Sequence, residues 1–318
     1  MAADFGDPDS ERLAASQSSV IADLSHLAVV EVSGSDAGTF LQGQLTCDVL
    51  AITPGQGSLG AYCTAKGRML ADFLMARSGA GFLLLLPRSL EPAFRKRLQM
   101  FVLRAKVSLA DASDKFVVLG ISGREAQTAW AAVASNAKSG SVAVHLPHER
   151  TVIAVPNEHA PAVWEALTAR LRPVGAACWR WLDIVNGVPI IVPATQDKLV
   201  PQMANLDALG AVSFNKGCYT GQEIIARTHY LGKVKRRMYP AHLSAVDKPP
   251  EPGDELFSDD LGDQASGLVV DAAPSPNGGH DLLAVVQANS KGNSTVHLRS
   301  PAGPTLEFLP LPYELPEP

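Results

Sequence analysis

The densest chemical signal in the chain is the stretch 213–227, SFNKGCYTGQEIIAR. Cys218 is a candidate nucleophile, and Lys216 lies two residues before it. Residues 212–214 read as a short strand, and Lys216-Gly217 turns the chain. Thr220-Gly221-Gln222-Glu223 then matches a T-x-x-E capping box, with Thr220 as the expected N-cap and Glu223 at N3. Ile224, Ile225 and Thr228 continue the helix. Cys218 is thereby expected two residues before a helix N-cap. A helix N-terminus carries about half a positive charge, and a nearby ammonium adds to it. Both favour thiolate over thiol, so the spacing describes a reactive cysteine. The competing reading is a small buried hydrophobe, the usual state of a lone cysteine.

The other cysteines, Cys47, Cys63 and Cys178, form no C-x-x-C and have no histidine at metal-ligand spacing. No metal site and no disulfide framework is expected. Isolated cysteines suit a reducing compartment. The 318 residues carry a formal net charge of −5 and no Walker or G-x-G-x-x-G loop. Neither a nucleic-acid partner nor a nucleotide fold is indicated. The basic stretches are 95–106 and 233–237, for which an acidic partner or ligand tail is a counterpart and a solvated face the simpler reading. The first residues lack the basic and apolar regions of a signal peptide, and the FLLLLP run at 82–87 is too short to span a bilayer. A cytoplasmic protein without a membrane partner is expected.

The elements that must position Cys218 follow from periodicity. Residues 1–18 are polar and are expected to be a disordered leader. Strands are expected at 27–33, 61–64, 69–75 and 82–86, with a hairpin turn at 65–68. Helices are expected at 89–104, with Ser89 as N-cap, near 125–135 and at 160–170. Trp179 and Trp181 read as core and strand residues. A Pro-rich boundary at 243–256 precedes short alternating runs that read as a small antiparallel barrel or sandwich. The class is α+β, with a body over 19–242 and a C-terminal β domain over 243–318.

The segment KGCYTGQE, that is Lys216, Gly217, Cys218, Tyr219, Thr220, Gly221, Gln222 and Glu223, resembles the signature of YgfZ-type folate-binding proteins. These include mitochondrial iron–sulfur assembly factors of eukaryotes. The stretches PQMANL at 201–206, FLQGQLT at 40–46 with Asp48, Lys66-Gly67-Arg68 and NGVP at 186–189 extend the resemblance over about residues 20–310. It implies the fold of the glycine-cleavage T-protein, an aminomethyltransferase: several domains around a central channel that holds tetrahydrofolate. It further implies a factor that supports assembly or repair of iron–sulfur clusters in client enzymes, tRNA-modifying enzymes among them. Within that frame Asp72 is a candidate pterin contact. Arg227, Lys66 and Arg68 are candidate partners of the folate carboxylates.

Two departures from the transferase pattern stand out. Ala71 and Val185 occupy positions where carboxylates are expected, and acid–base work at a folate nitrogen needs a placed titratable group. Three readings remain. The first is a folate-binding factor that presents Cys218, the second a folate-dependent aminomethyl transferase, and the third a folate-sensing module.

Overall fold

A computed structural model describes residues 4–53, 55–134, 140–232 and 234–316. The chain begins with α1 (Pro8–Gln17), β1 (Val20–Asp23), β2 (Leu27–Ser33), α2 (Ala37–Gln42), β3 (Gly57–Cys63), β4 (Met69–Ser78), β5 (Gly81–Pro87) and α3 (Glu91–Gln99). It continues with β6 (Ser108–Asp111), β7 (Phe116–Ser122), α4 (Ala126–Ala134), β8 (Val142–Leu146), β9 (Arg150–Pro156), α5 (Ala160–Thr168), β10 (Arg172–Val174) and α6 (Ala176–Val185). Then come α7 (Gln222–Tyr230), β11 (Arg236–Leu243), β12 (Glu255–Ser258), β13 (Ala265–Pro274), β14 (His280–Gln287), α8 (Ser290–Asn293), β15 (Val296–Leu298) and β16 (Glu307–Phe308).

These strands make three sheets, ordered β3-β4-β5-β2-β6, β10-β1-β7-β9-β8 and β15-β12-β13-β14-β11-β16. The chain starts in the second sheet with β1, builds the first, and then returns. β5 shows why the two pack together. Its side chains alternate between two cores, as strand geometry requires. Phe82, Leu84 and Leu86 face one core with Phe94 and Leu98 of α3. Leu83 and Leu85 face a second core with Val118, Val144 and Val152 of the neighbouring sheet and Trp179 and Leu182 of α6. Burying each such leucine contributes about 1.5–3 kcal/mol. The third sheet is an open antiparallel half-barrel, consistent with the expected C-terminal β domain. The Arg180 guanidinium of α6 pairs with the buried Asp271 on β13, and Trp181 Nε1 donates to Asp281 Oδ2 at 2.7 Å.

The structure differs from several expectations. Residues 8–17, expected in a disordered leader, form α1. Asp7 caps it, accepting from Ser10 N at 3.1 Å, and Pro8 opens it. Glu11 is 3% exposed and accepts from Gly175 N at 2.8 Å, where its charge meets the N-terminus of α6. Trp179 and Trp181 lie on this helix rather than in a strand. The helix expected at 89–104 stops at Gln99, and Leu90 rather than Ser89 is its N-cap. β11 belongs to the C-terminal sheet, because it pairs with β14 along its whole length. Its hydrogen bonds therefore put that sheet's first strand before the Pro-rich boundary.

Candidate functional site

Two separate places collect the candidate residues. The first is an exposed node around Cys218. Cys218 is exposed, whereas Cys47, Cys63 and Cys178 are buried. The N-cap of α7 is Gly221, at φ 86°, and no side chain caps the helix. The capping box expected from Thr220 and Glu223 is therefore absent, and Cys218 lies three residues before the cap. The left-handed conformation required at this turn suits Gly221 and excludes Thr220 as cap. Gly221 also meets the β3–β4 hairpin. A Cβ there would come within 2.5 Å of Thr64 O and 3.1 Å of Gly67 Cα. Gly67 in turn packs under Ile224 and Ile225. The structure thus brings the Lys66-Gly67-Arg68 hairpin and the signature helix together.

Lys216 does not serve Cys218 as the sequence suggests. Its Nζ donates to Leu45 O at 2.8 Å and Cys47 O at 2.6 Å, and it lies 5.1 Å from the centroid of the Tyr219 ring. Burial lowers its pKa to about 8, while the neighbouring Cys47 and Asp48 oppose the fall. Its work is to pin the signature loop to residues 45–47. Thr46 does the same with its hydroxyl, which donates to Ala211 O at 2.7 Å and accepts from Ala61 N at 2.8 Å. Gln202 Nε2 donates to Ile225 O at 2.7 Å and Asn205 Nδ2 to Met238 O at 2.7 Å. The 40–46 and 201–206 stretches are accordingly the scaffold of this loop. Tyr219 is buried, Thr220 and Gln222 are half-buried, and Gly217, Glu223 and Arg227 are exposed. Of the basic stretch that follows, Arg237 is buried in a two-pronged pair with Asp207, at 2.7 and 3.0 Å, and Lys233 lies outside the described residues.

The second place is a cavity of about 60 Å³ between the first two sheets and α6. Asp72 of β4 and Asp183 of α6 line it, with His26, Phe73, Trp179 and Ile190. Asp72 is 5% exposed and accepts from Ile191 N at 2.8 Å. Burial raises its pKa to about 7, helped by the charges of Asp183 and Asp271. Burial likewise raises Asp183 to about 6, against the pull of Arg150. Arg150 pairs with Asp183, and its side chain is fully buried. Its Nη2 has no partner, and neither has His26 Nδ1. Its guanidinium carbon lies 5.8 Å from the Trp179 ring centroid.

Of the expected folate contacts, only Asp72 reaches this cavity. Arg68 instead donates to Lys198 O, and Lys66 is exposed at the hairpin tip. Sequence reasoning missed Asp183, Arg150, His26 and Trp179. A signal existed: Asp183 interrupts an apolar helix face, and Arg150 opens a strand with no other charge. Charges in such places are found paired. Asp183, two residues before Val185, also lines the cavity.

An antiparallel sheet and a mixed sheet enclosing a cavity, with an antiparallel half-barrel attached, define the class of the aminomethyltransferase fold. The GCVT N-terminal domain family matches residues 5–146. The glycine cleavage system aminomethyltransferase T from Bartonella henselae superimposes with a TM-score of 0.73 at 17% identity, covering 94% of this chain and 87% of that one. The tRNA-modifying protein YgfZ of Klebsiella pneumoniae (strain 342) is 34% identical over 302 residues, 91% of either chain. That of Yersinia pseudotuberculosis serotype O:1b is 34% identical over 303 residues, again 91% of both. The chain belongs to the YgfZ family. No described helix is long and apolar enough to cross a membrane, and no described cluster of His, Cys, Asp and Glu could hold a metal ion.

Proposed function

We propose that this chain is a cytoplasmic folate-binding factor of tRNA modification: it holds a reduced folate at the Asp72 cavity and presents Cys218 to iron–sulfur enzymes or their assembly proteins. The observation that carries the folate reading is the polar end of the cavity. A reduced pterin offers a row of N–H donors and one carbonyl oxygen along its edge. Asp72 and Asp183 supply acceptors for such donors, the unpartnered ring nitrogen of His26 supplies a further polar group, and Trp179 supplies a flat apolar wall, while Arg150 behind the lining holds Asp183 in place. The chemistry fits a pterin, but the volume does not in the present conformation. At about 15 Å³ per water the cavity holds about four waters, so a pterin requires its walls to part. Folate would bind at micromolar affinity or weaker, about −8 kcal/mol or less in magnitude.

The Cys218 half of the proposal rests on exposure and rigid presentation, since Lys216 is committed elsewhere. One cysteine cannot hold a cluster, so its role is that of a nucleophile or transient ligand. The test is a strain lacking the chain. Thiolated tRNA and the activities of several four-iron enzymes should fall, and Cys218→Ser should fail to restore them. Normal values throughout would end this reading.

The aminomethyl transferase reading keeps one supporting observation, the presence of two carboxyl groups at the cavity. Asp183 is bound to Arg150, which leaves Asp72 as the acid–base group. Folate-dependent ammonia release from an aminomethyl donor would select this reading, and we expect none.

A further inference from the structure

The turn that follows α3 breaks a local rule at no benefit to the fold. Met100, Phe101 and Leu103 are 60%, 42% and 88% exposed. Leu103 also sits at φ 46°, a conformation that glycine or asparagine adopts at helix ends and leucine rarely does. The turn is rigid nonetheless. Phe101 N donates to Leu98 O at 2.9 Å and Ala105 N to Val102 O at 2.8 Å. Val102 is buried in the main core, and Lys106 N donates to Asp36 Oδ2 at 2.8 Å. The strained leucine is therefore held outward by the backbone, not by disorder. Such local violations occur where function takes precedence over stability.

Charge surrounds the turn asymmetrically. Lys96, Arg104 and Lys106 are exposed, and their side chains form no ion pair among the described residues. The nearby acids offset these charges only in part: Glu91 is paired with Arg95, Asp36 lies close enough to Lys106 to feel its charge, and Asp111 feels Arg95 and Arg88. What covers the turn must bring apolar surface and negative charge. A bilayer of anionic lipid fits poorly, because surface-bound segments are long amphipathic helices and residues 100–104 form a turn. Methionine, phenylalanine and arginine are the residues enriched at protein–protein interfaces. We propose that residues 100–104 form a docking knob for a partner protein that offers an apolar groove rimmed by carboxylates. The knob is independent of the folate cavity, so failure of one leaves the other standing.

Leu103→Gly separates docking from folding, since glycine relieves the left-handed strain. The variant should melt at the same temperature as the wild type or higher, yet fail to restore tRNA modification in a strain lacking the chain. A photo-crosslinking residue in place of Phe101 should give, in those cells, one protein adduct whose mapped segment carries Asp or Glu beside apolar residues. Arg104→Glu should reduce that adduct at least tenfold, and Lys in place of the mapped acid should bring it back. Full restoration by Leu103→Gly, absence of an adduct, or an adduct indifferent to Arg104→Glu would overturn the proposal. So would sedimentation with phosphatidylglycerol vesicles, or binding to total tRNA, that is lost in Leu103→Gly.

Discussion

The Cys218 node and the Asp72 cavity are built on opposite plans. The node is exposed, dense in motif residues and held by backbone contacts: two glycines back to back, and a lysine spent on two carbonyls. The cavity is buried, drawn from β4, β9 and α6, and held by charge: Arg150 against Asp183, whose own charge adds to the rise in the pKa of Asp72. A compact sequence motif here marks a shaped surface, whereas dispersed buried charges mark the cavity where we propose that folate is recognised. The difference makes distinct demands on mutation. Changes at the cavity act through desolvated charge, which is costly to leave unpaired. Changes at the node act through backbone shape, and the cysteine itself carries little structural weight.

The largest effect should follow Arg150→Met. It strands Asp183 without a partner, and such losses cost about 3–5 kcal/mol. Urea unfolding should register this, and Asp183→Leu in the same chain should recover most of it. If the single variant is as stable as wild type, the pair is not what holds α6 to β9.

Asp72 comes next, with a pH signature. Its folded pKa of about 7 lies above the ordinary value of 3.8. Between those values the folded state binds the proton more strongly than the unfolded state. Stability should therefore fall as pH rises from about 4 to about 7, and stay low above. Asp72→Asn removes the penalty. It should gain up to about 4 kcal/mol at pH 8, since each tenfold difference in proton affinity between the two states is worth about 1.4 kcal/mol, and almost nothing at pH 4. Equal effects at the two pH values would show that Asp72 ionises freely.

Gly221→Ala should cost about 2 kcal/mol, because alanine is strained at positive φ and its methyl group would meet Thr64 O. Thermal melting will show this, and a neutral result would mean that the hairpin and α7 slide apart easily. The smallest structural effect is expected for Cys218→Ser, within about 0.5 kcal/mol, as for exposed sites generally. Alkylation followed by mass spectrometry should label Cys218 alone in the native protein. The buried Cys47 and Cys178, whose thiols burial pushes up to about 11, and Cys63, pushed higher still, should react only after unfolding.

These contrasts also explain what the sequence made legible. β2, β5, α5 and the strands β13 to β16 of the C-terminal sheet follow from hydrophobic period and turn residues alone. α1 escaped notice because its apolar face is only Ala14 and Ala15, and its anchor is a buried glutamate. The Thr220 capping box failed because a four-residue motif does not reveal that Gly221 must turn left-handed against a hairpin far earlier in the chain. Lys216 was read toward the nearest cysteine in sequence, whereas the fold delivers it to Cys47. The cavity was the least legible part. Asp72, Asp183 and Arg150 are far apart in the chain, and only sheet packing makes neighbours of them.

The central claim is that folate recognition belongs to the cavity and not to the signature face. Calorimetric titration of tetrahydrofolate into the wild type, Asp72→Asn and Cys218→Ser tests it most directly. The account predicts micromolar or weaker binding to the wild type, unchanged in Cys218→Ser and weakened at least tenfold in Asp72→Asn, about 1.4 kcal/mol. Binding that survives Asp72→Asn intact, or that disappears with Cys218→Ser, would contradict it.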